Sequence, residues 1–282
     1  MTWTLSGFCD EASVVFAEQV AVAKRAGLST LDVRIIEGRN IADLTSAEVA
    51  PLAAAVRTAN LRVGCLGSAI GKIDMADDFA IDLARLERIA GHAEALDCRC
   101  VRVFSTFNKG GVPMAQWREV ALKRLSALGT RAQTLGLTLM VENERHLYGD
   151  RLPQMLDIAR ESGLGLIFDF DNFHQSGDDP WANWLVLKPF VRAFHLKDSN
   201  ADCVHVPFGS GAGKAREILS DAKGRDWNGL LSLEPHLARS AAVLATGPHG
   251  RGSQEGNDPV EAFLLGAGAS RTFISSLGIS CQ

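Results

Sequence analysis

Eight short apolar runs, each followed by a longer amphipathic stretch, leave this chain few folds to choose from. The runs are Trp3–Phe8, "LDVRII" (31–36), "RVGCLG" (62–67), "CVRVFS" (100–105), "LTLMV" (137–141), "LGLIF" (164–168), "VRAFHL" (191–196) and "GLLSL" (229–233). They are nearly continuous in apolar character rather than alternating, as strands are when both sheet faces are covered. The stretches between them carry helix signals. "TSAEVAPLAAAVRTAN" (45–60) opens with Thr45 or Ser46 as N-cap and places Glu48 for a capping box, and Gly27 closes "SVVFAEQVAVAKRAG" (13–27). Eight βα units in 282 residues predict an α/β fold, a closed (β/α)8 TIM barrel, as one domain over residues 1–282. The competing architecture, a doubly wound open sheet, usually shows a glycine-rich phosphate turn after its first strand. "GFCDEAS" (7–13) is no such turn.

Charge and composition narrow the function classes. With 29 basic against 33 acidic residues and a net charge of −4, the chain has no electrostatic reason to bind nucleic acid or an anionic membrane. No apolar run approaches the length of a membrane span, and "MTWTLSGFCDE" lacks the features of a signal peptide. Cys9, Cys65, Cys98, Cys100, Cys203 and Cys281 include no C-x-x-C pair, and four of them lie in or beside apolar runs. They read as reduced thiols of a cytoplasmic protein rather than a zinc or redox site. The oligomeric state is left open, a homo-oligomer included.

In a barrel of this kind the active site lies at the C-terminal ends of the strands. The last four strands end on Glu142, Asp169, His195 and Glu234, in one register. One acid at a wet strand end needs no explanation, whereas three carboxylates brought together repel one another and raise each other's pKa values. A divalent cation resolves that conflict. Three oxygen donors with one imidazole suit Mn²⁺ foremost, with Mg²⁺, Co²⁺ or Zn²⁺ as alternatives.

At these residues the chain resembles the sugar phosphate isomerase/epimerase superfamily, the xylose isomerase-like TIM barrels. The most specific blocks are "GFCDE" (7–11), "GSAIGKI" (67–73), "VRVFS" (101–105), "ENERHLYGD" (142–150), "FDFDNF" (168–173), "FHLKD" (194–198) and "LSLEPHL" (231–237). The resemblance implies the same metal ligands, Glu142, Asp169, His195 and Glu234. One position has two solutions, because "DFDNFH" satisfies the family's D-x-x-[HN] pattern from Asp169 and again from Asp171. Asp169 is preferred because it sits directly on the apolar run. The DNA-repair branch of the superfamily uses further histidines on early strands, and the first four strand ends here offer none.

The resemblance further implies that Glu142 and Glu234 both bind metal and exchange protons from opposite sides of a carbon next to a carbonyl, which serves isomerisation and epimerisation alike. Candidate substrate-binding residues are His236, Lys72, Lys197, Arg34 and Asn172. The expected substrate is a small sugar or sugar-derived molecule. Competing readings are a dehydratase acting on inosose-type substrates, an endonuclease IV-like enzyme and a non-catalytic sugar-binding barrel. Asp10 and Glu11 read as exposed rim acids or lid contacts. Glu144 reads as a support for the metal ligands or a partner of Arg34, and Lys197 as a partner of Asp198. Trp3, Phe104, Phe107 and Phe173 are candidate pocket walls, and "TGPHGRGSQEGND" (246–258) is a candidate lid.

Overall fold

The alternation is realised as eight parallel strands: β1 (Trp3–Gly7), β2 (Thr30–Val33), β3 (Arg62–Gly67), β4 (Cys100–Val103), β5 (Thr138–Glu142), β6 (Gly165–Asp169), β7 (Val191–Leu196) and β8 (Gly229–Leu233). The structure is a computed structural model that describes residues 3–245 and 257–282. The strands pair in the order β1-β8-β7-β6-β5-β4-β3-β2, which curls the sheet into a nearly closed barrel. No ladder joins β1 to β2 among the described residues. The seam is spanned instead by side chains, with Ser6 Oγ donating to Asp32 Oδ2 at 2.6 Å.

The helices begin and end where local chemistry stops them. In α1 (Phe16–Arg25) and α2 (Ser46–Thr58) the expected signals operate: Gly27 takes a φ of +68° beyond α1. At α2, Thr45 Oγ1 accepts from the Glu48 amide while Glu48 Oε2 accepts from the Thr45 amide, completing the capping box. Then follow α3 (Ala80–Ala95), α4 (Met114–Thr134), α5 (Leu152–Ser162), α6 (Phe170–Gln175), α7 (Pro180–Leu187), α8 (Ala215–Gly224), α9 (Ala241–Ala245) and α10 (Pro259–Ser276). The short α6 and α9 are additions to the eight expected helices. Asp169 caps α6, its Oδ1 accepting from the Asn172 amide at 2.8 Å.

The second strand is shorter than its apolar run. Arg34 ends it, and Ile35–Ile36 pairs antiparallel with Arg39–Asn40 instead. The cause is Asp10, whose Oδ2 accepts both the Ile35 amide at 3.0 Å and Arg34 Nε at 2.8 Å, drawing the chain off the ladder. Inside the barrel, Cys65, Met140, Ile167 and Ala193 form one apolar layer, so the interior beneath the strand ends is packed rather than open. Outside it, Phe168, Phe170, Phe194 and Trp184 form an aromatic cluster between strands and helices. Trp3 stands at the start of β1 against Trp227, with ring centroids 4.7 Å apart, and Phe173 packs on Phe168. Neither walls a pocket at the opposite rim, because both are spent on packing.

The six cysteines are unpaired, and Cys9, Cys65 and Cys98 are buried. Burial pushes the Cys98 thiol up to about 12, which leaves it protonated and inert. Among the described residues no helix is long and apolar enough to cross a membrane. Residues 246–256 of the expected lid lie outside the described residues.

Candidate metal centre

Glu142 and Asp169 are the last residues of β5 and β6, His195 is the penultimate residue of β7, and Glu234 follows β8 directly. Period-2 alternation turns all four side chains into the barrel mouth. The structure brings one donor atom of each within 4.8 Å of the others, and all four residues are buried. His195 Nδ1 lies 2.8 Å from Glu142 Oε1 and 3.2 Å from Glu234 Oε2, so two carboxylates converge on one imidazole nitrogen.

The negative charge there is only partly answered. Lys197 Nζ lies 2.9 Å from Asp169 Oδ2, Arg102 Nη1 lies 3.2 Å from Glu142 Oε2, and Arg34 Nη1 donates to Glu234 Oε1. Even so, Glu142 Oε2, Asp169 Oδ2 and Glu234 Oε2 are buried and accept no aligned hydrogen bond. Asp10 and Glu11 also draw on Arg34, so the carboxylates around the cluster outnumber its permanent cations. The titrations register that excess. Burial, reinforced by Glu142 and Glu234, pushes Asp169 up to about 8 against the pull of Lys197. Burial opposes a charged His195, but Glu142 and then Glu234 outweigh it and raise the imidazole to about 9.

These residues fit a divalent ion. One oxygen of each carboxylate and one imidazole nitrogen lie within 4.8 Å of one another, and each carboxylate keeps a buried oxygen without a hydrogen bond. The donor set is the oxygen-rich kind that hard and borderline cations take. Uptake would displace the proton that His195 and the carboxylates otherwise share. Glu11, Glu234 and His236 form a second compact group. There a cation is already in place, since Arg34 is bonded to Glu234 and lies 3.9 Å from Glu11.

The ambiguity between the two aspartates is resolved geometrically in favour of Asp169 as the residue in the cluster. Asp171 lies one helical step into α6 and faces away. It accepts from Ser199 Oγ and from Gln175 Nε2 at 2.5 Å, and stands 3.1 Å from His205 Nε2. Against burial, His205 first and then Lys197 and Ser199 hold Asp171 down at about 2. Asp169→Asn should therefore lower the affinity for Mn²⁺ by at least tenfold, while Asp171→Asn leaves it within about threefold. Metal content after equilibrium dialysis checks this, and the reverse order would make Asp171 the ligand.

Several other sequence expectations need correction. Asp10 and Glu11 are buried, not exposed. Asp10 grips Arg34 through two hydrogen bonds of 2.8 and 3.0 Å, and Glu11 Oε2 accepts the His236 amide at 2.8 Å. Losing one partner of such a buried pair costs about 3–5 kcal/mol, so Asp10 is part of the framework. Glu144 pairs with Lys72 at 2.9 Å rather than with Arg34, and Lys197 pairs with Asp169 rather than Asp198. Asp198 instead accepts the amides of Gly209, Gly211 and Gly213 at 2.9–3.0 Å, which pins the loop after β7. Asn172 does not line the cleft. Its Nδ2 donates to the Asn143 carbonyl at 2.9 Å and its amide holds Asp169.

A small cleft opens over the cluster, lined by Arg34, Lys72, Arg102, Phe104, Lys197 and His236 together with Glu142, Glu144 and Glu234. Phe104 is thus a wall, as expected. Sequence reading overlooked Arg102, Asn143 and Phe8. Arg102 had a visible signal, a charge inside the apolar "CVRV". Asn143 exchanges two hydrogen bonds with the Asp169 backbone, at 2.8 and 3.0 Å, tying the ends of β5 and β6 together. Phe8 stands edge-on to His195, with centroids 5.4 Å apart, and nothing in the sequence marked it.

Comparison with known proteins places these features in context. The family model of xylose isomerase-like TIM barrels matches residues 20–256. A 3-dehydroshikimate dehydratase of Bacillus anthracis is 25% identical over 139 residues, 48% of this chain, and the match spans about half (49%) of that protein. Two solved structures share the fold across nearly the whole chain. A D-psicose 3-epimerase in the presence of D-fructose gives a TM-score of 0.75 at 16% identity, covering 98% of this chain and all of that one. A xylose isomerase-like TIM barrel protein of Mycobacterium smegmatis in complex with magnesium gives 0.66 at 15% identity, covering 95% and 97%.

Proposed function

Because the chain belongs to the xylose isomerase-like TIM barrel family, we propose that it is a divalent-metal-dependent isomerase or epimerase. It moves a proton at the carbon beside a carbonyl of a sugar, a sugar phosphate or a keto-polyol. The observation that carries the reading is the pair Glu142 and Glu234. They come from β5 and β8, on either side of β7, and converge on His195 Nδ1. Each is held below the usual carboxylate range against the effect of burial, Glu142 by His195 and Arg102, and Glu234 by Lys197 and Arg34. Two ionised carboxylates flanking one point can take a proton from one side of a carbon and return it from the other.

Glu142, Asp169, His195 and Glu234 would hold the ion, Mn²⁺ foremost with Mg²⁺, Co²⁺ or Zn²⁺ as alternatives, and the bound ion would supply Lewis-acid polarisation of the substrate carbonyl. The chain does the rest. His236 lines the cleft with Nδ1 buried and unbonded among the described residues and Nε2 3.4 Å from Glu11 Oε1 and 3.5 Å from Glu234 Oε1, and burial followed by Lys197 lowers its pKa well below the ordinary value. It is then a neutral imidazole suited to orienting a substrate hydroxyl. Lys197, buried at the cleft floor, stands beside Asp169 and Glu234 where substrate oxygens would sit.

A second reading, a dehydratase, is favoured by the Bacillus anthracis relative. It begins with the same proton abstraction beside a carbonyl and ends with loss of a neighbouring hydroxyl as water. Product analysis separates the two. With Mn²⁺ and a panel of ketoses and keto-polyols, proton NMR and mass spectrometry should reveal a product of unchanged mass. A product lighter by one water would make the protein a dehydratase, and an unchanged panel would count against both.

A further inference from the structure

The cleft contains two buried guanidiniums, and they are satisfied very unequally. Arg34 donates from Nε and Nη2 to the two oxygens of Asp10, at 2.8 and 3.0 Å, and from Nη1 to Glu234. Arg102 spends far less of its capacity. Its Nε is buried and meets no acceptor, and Nη2 reaches only the Gly67 carbonyl, at 3.5 Å. Nη1 lies 3.2 Å from Glu142 Oε2 but not in hydrogen-bond alignment. Glu142 is an incomplete partner in any case, since its other oxygen faces His195.

What holds Arg102 in place is aromatic. Its Cζ stands 5.1 Å from the Phe8 ring centroid and 4.8 Å from that of Phe104. Ring faces fix the position of a guanidinium without consuming its N–H groups, which lie in the guanidinium plane and suit a planar or tetrahedral oxyanion. Lys72 Nζ lies over the same Phe104 ring at 4.3 Å, and both cations line the cleft. They come from β4 and from the loop after β3, beside β5 and so at the Glu142 edge of the cluster. Lys72 is already bonded to Glu144 at 2.9 Å, so of the two it is Arg102 whose N–H groups remain unspent.

We infer that the substrate carries an oxyanion, a carboxylate or a phosphate, which Arg102 takes with its unspent N–H groups while Lys72 adds charge from beside it. This rests on the cleft being the substrate site and adds the substrate's charge to that reading. Arg102 is then a substrate-binding residue as well as a counter-ion of Glu142. Arg34, a substrate-binding candidate from the sequence, is excluded from that role because Asp10 and Glu234 already occupy it. Uncharged sugars are poor ligands by comparison.

Calorimetry tests this in two separable stages. Mg²⁺ is titrated first, and then gluconate, inorganic phosphate and sorbitol are each titrated into the Mg²⁺-loaded protein at constant ionic strength. At least one of the two anions should bind tenfold or more tightly than sorbitol, and the tighter of them tells a sugar acid from a phosphate ester. Arg102→Gln should erase the preference, Arg102→Lys should restore part of it, and Lys72→Gln should reduce it by a smaller factor. Anions no tighter than sorbitol on the wild type would overturn the inference, as would an Arg102→Gln protein that keeps the preference. If Arg102→Gln fails to fold by melting, the wild-type ranking and Lys72→Gln decide. A silent Mg²⁺ titration counts against the metal centre alone, and the anion titrations are then judged by the same criterion on metal-free protein.

Discussion

Glu142→Gln and Glu234→Gln should each lower turnover by about 10²–10⁴-fold, the range typical of removing a general acid or base. The losses should reach at least that range, because both residues also belong to the metal-binding cluster. Glutamine keeps an oxygen that can coordinate, so the variants should retain part of their metal. They should differ in stability. Arg34 keeps Asp10 when Glu234 is neutralised, whereas among the described residues Glu142 is the only carboxylate found against Arg102. Glu142→Gln should therefore melt lower than Glu234→Gln. Turnover in D₂O gives the mechanistic readout. Proton exchange by these carboxylates leaves deuterium on the carbon beside the carbonyl. A product formed without solvent deuterium would point to direct hydride transfer, with the two glutamates acting as ligands only.

Removing the ion should have the other large effect. A chelator should abolish turnover, and Mn²⁺ added back should restore it and raise the melting temperature. An ion present at a hundredfold excess over its Kd stabilises by roughly 2.7 kcal/mol. At roughly 2–4 °C per kcal/mol for a chain of this size, the shift is about 5–10 °C. The gain is physically reasonable because the cluster is strained electrostatically without the ion, as the raised Asp169 and His195 record. Melting indifferent to both Mn²⁺ and chelator would end the metal-centre reading.

The barrel and the buried carboxylate–imidazole cluster were legible in the sequence because both are local features. A parallel strand covered on two faces writes itself as a short apolar run, and the residue closing each run is automatically at the rim. Glu142, Asp169, His195 and Glu234 could thus be found one strand at a time. What the tertiary structure alone decided are the charge pairings, since their partners come from different βα units. Arg34 meets Glu234 across 200 residues of sequence and Asp10 across 24, and no local pattern encodes either meeting. For the same reason Asp10 and Glu11 read as solvated acids in the sequence, whereas the fold buries them against Arg34 and the His236 amide. The choice between Asp169 and Asp171 was also tertiary. The two fit one motif equally well, but α6 starts at Phe170, and two residues of helix rotate Asp171 away from the barrel mouth toward His205 and Ser199. Arg102 shows the principle most directly. Its charge was visible in the strand, but only the packing of Phe8 and Phe104 around it, with its Nε left unanswered, distinguishes a guanidinium awaiting a ligand from one already spent.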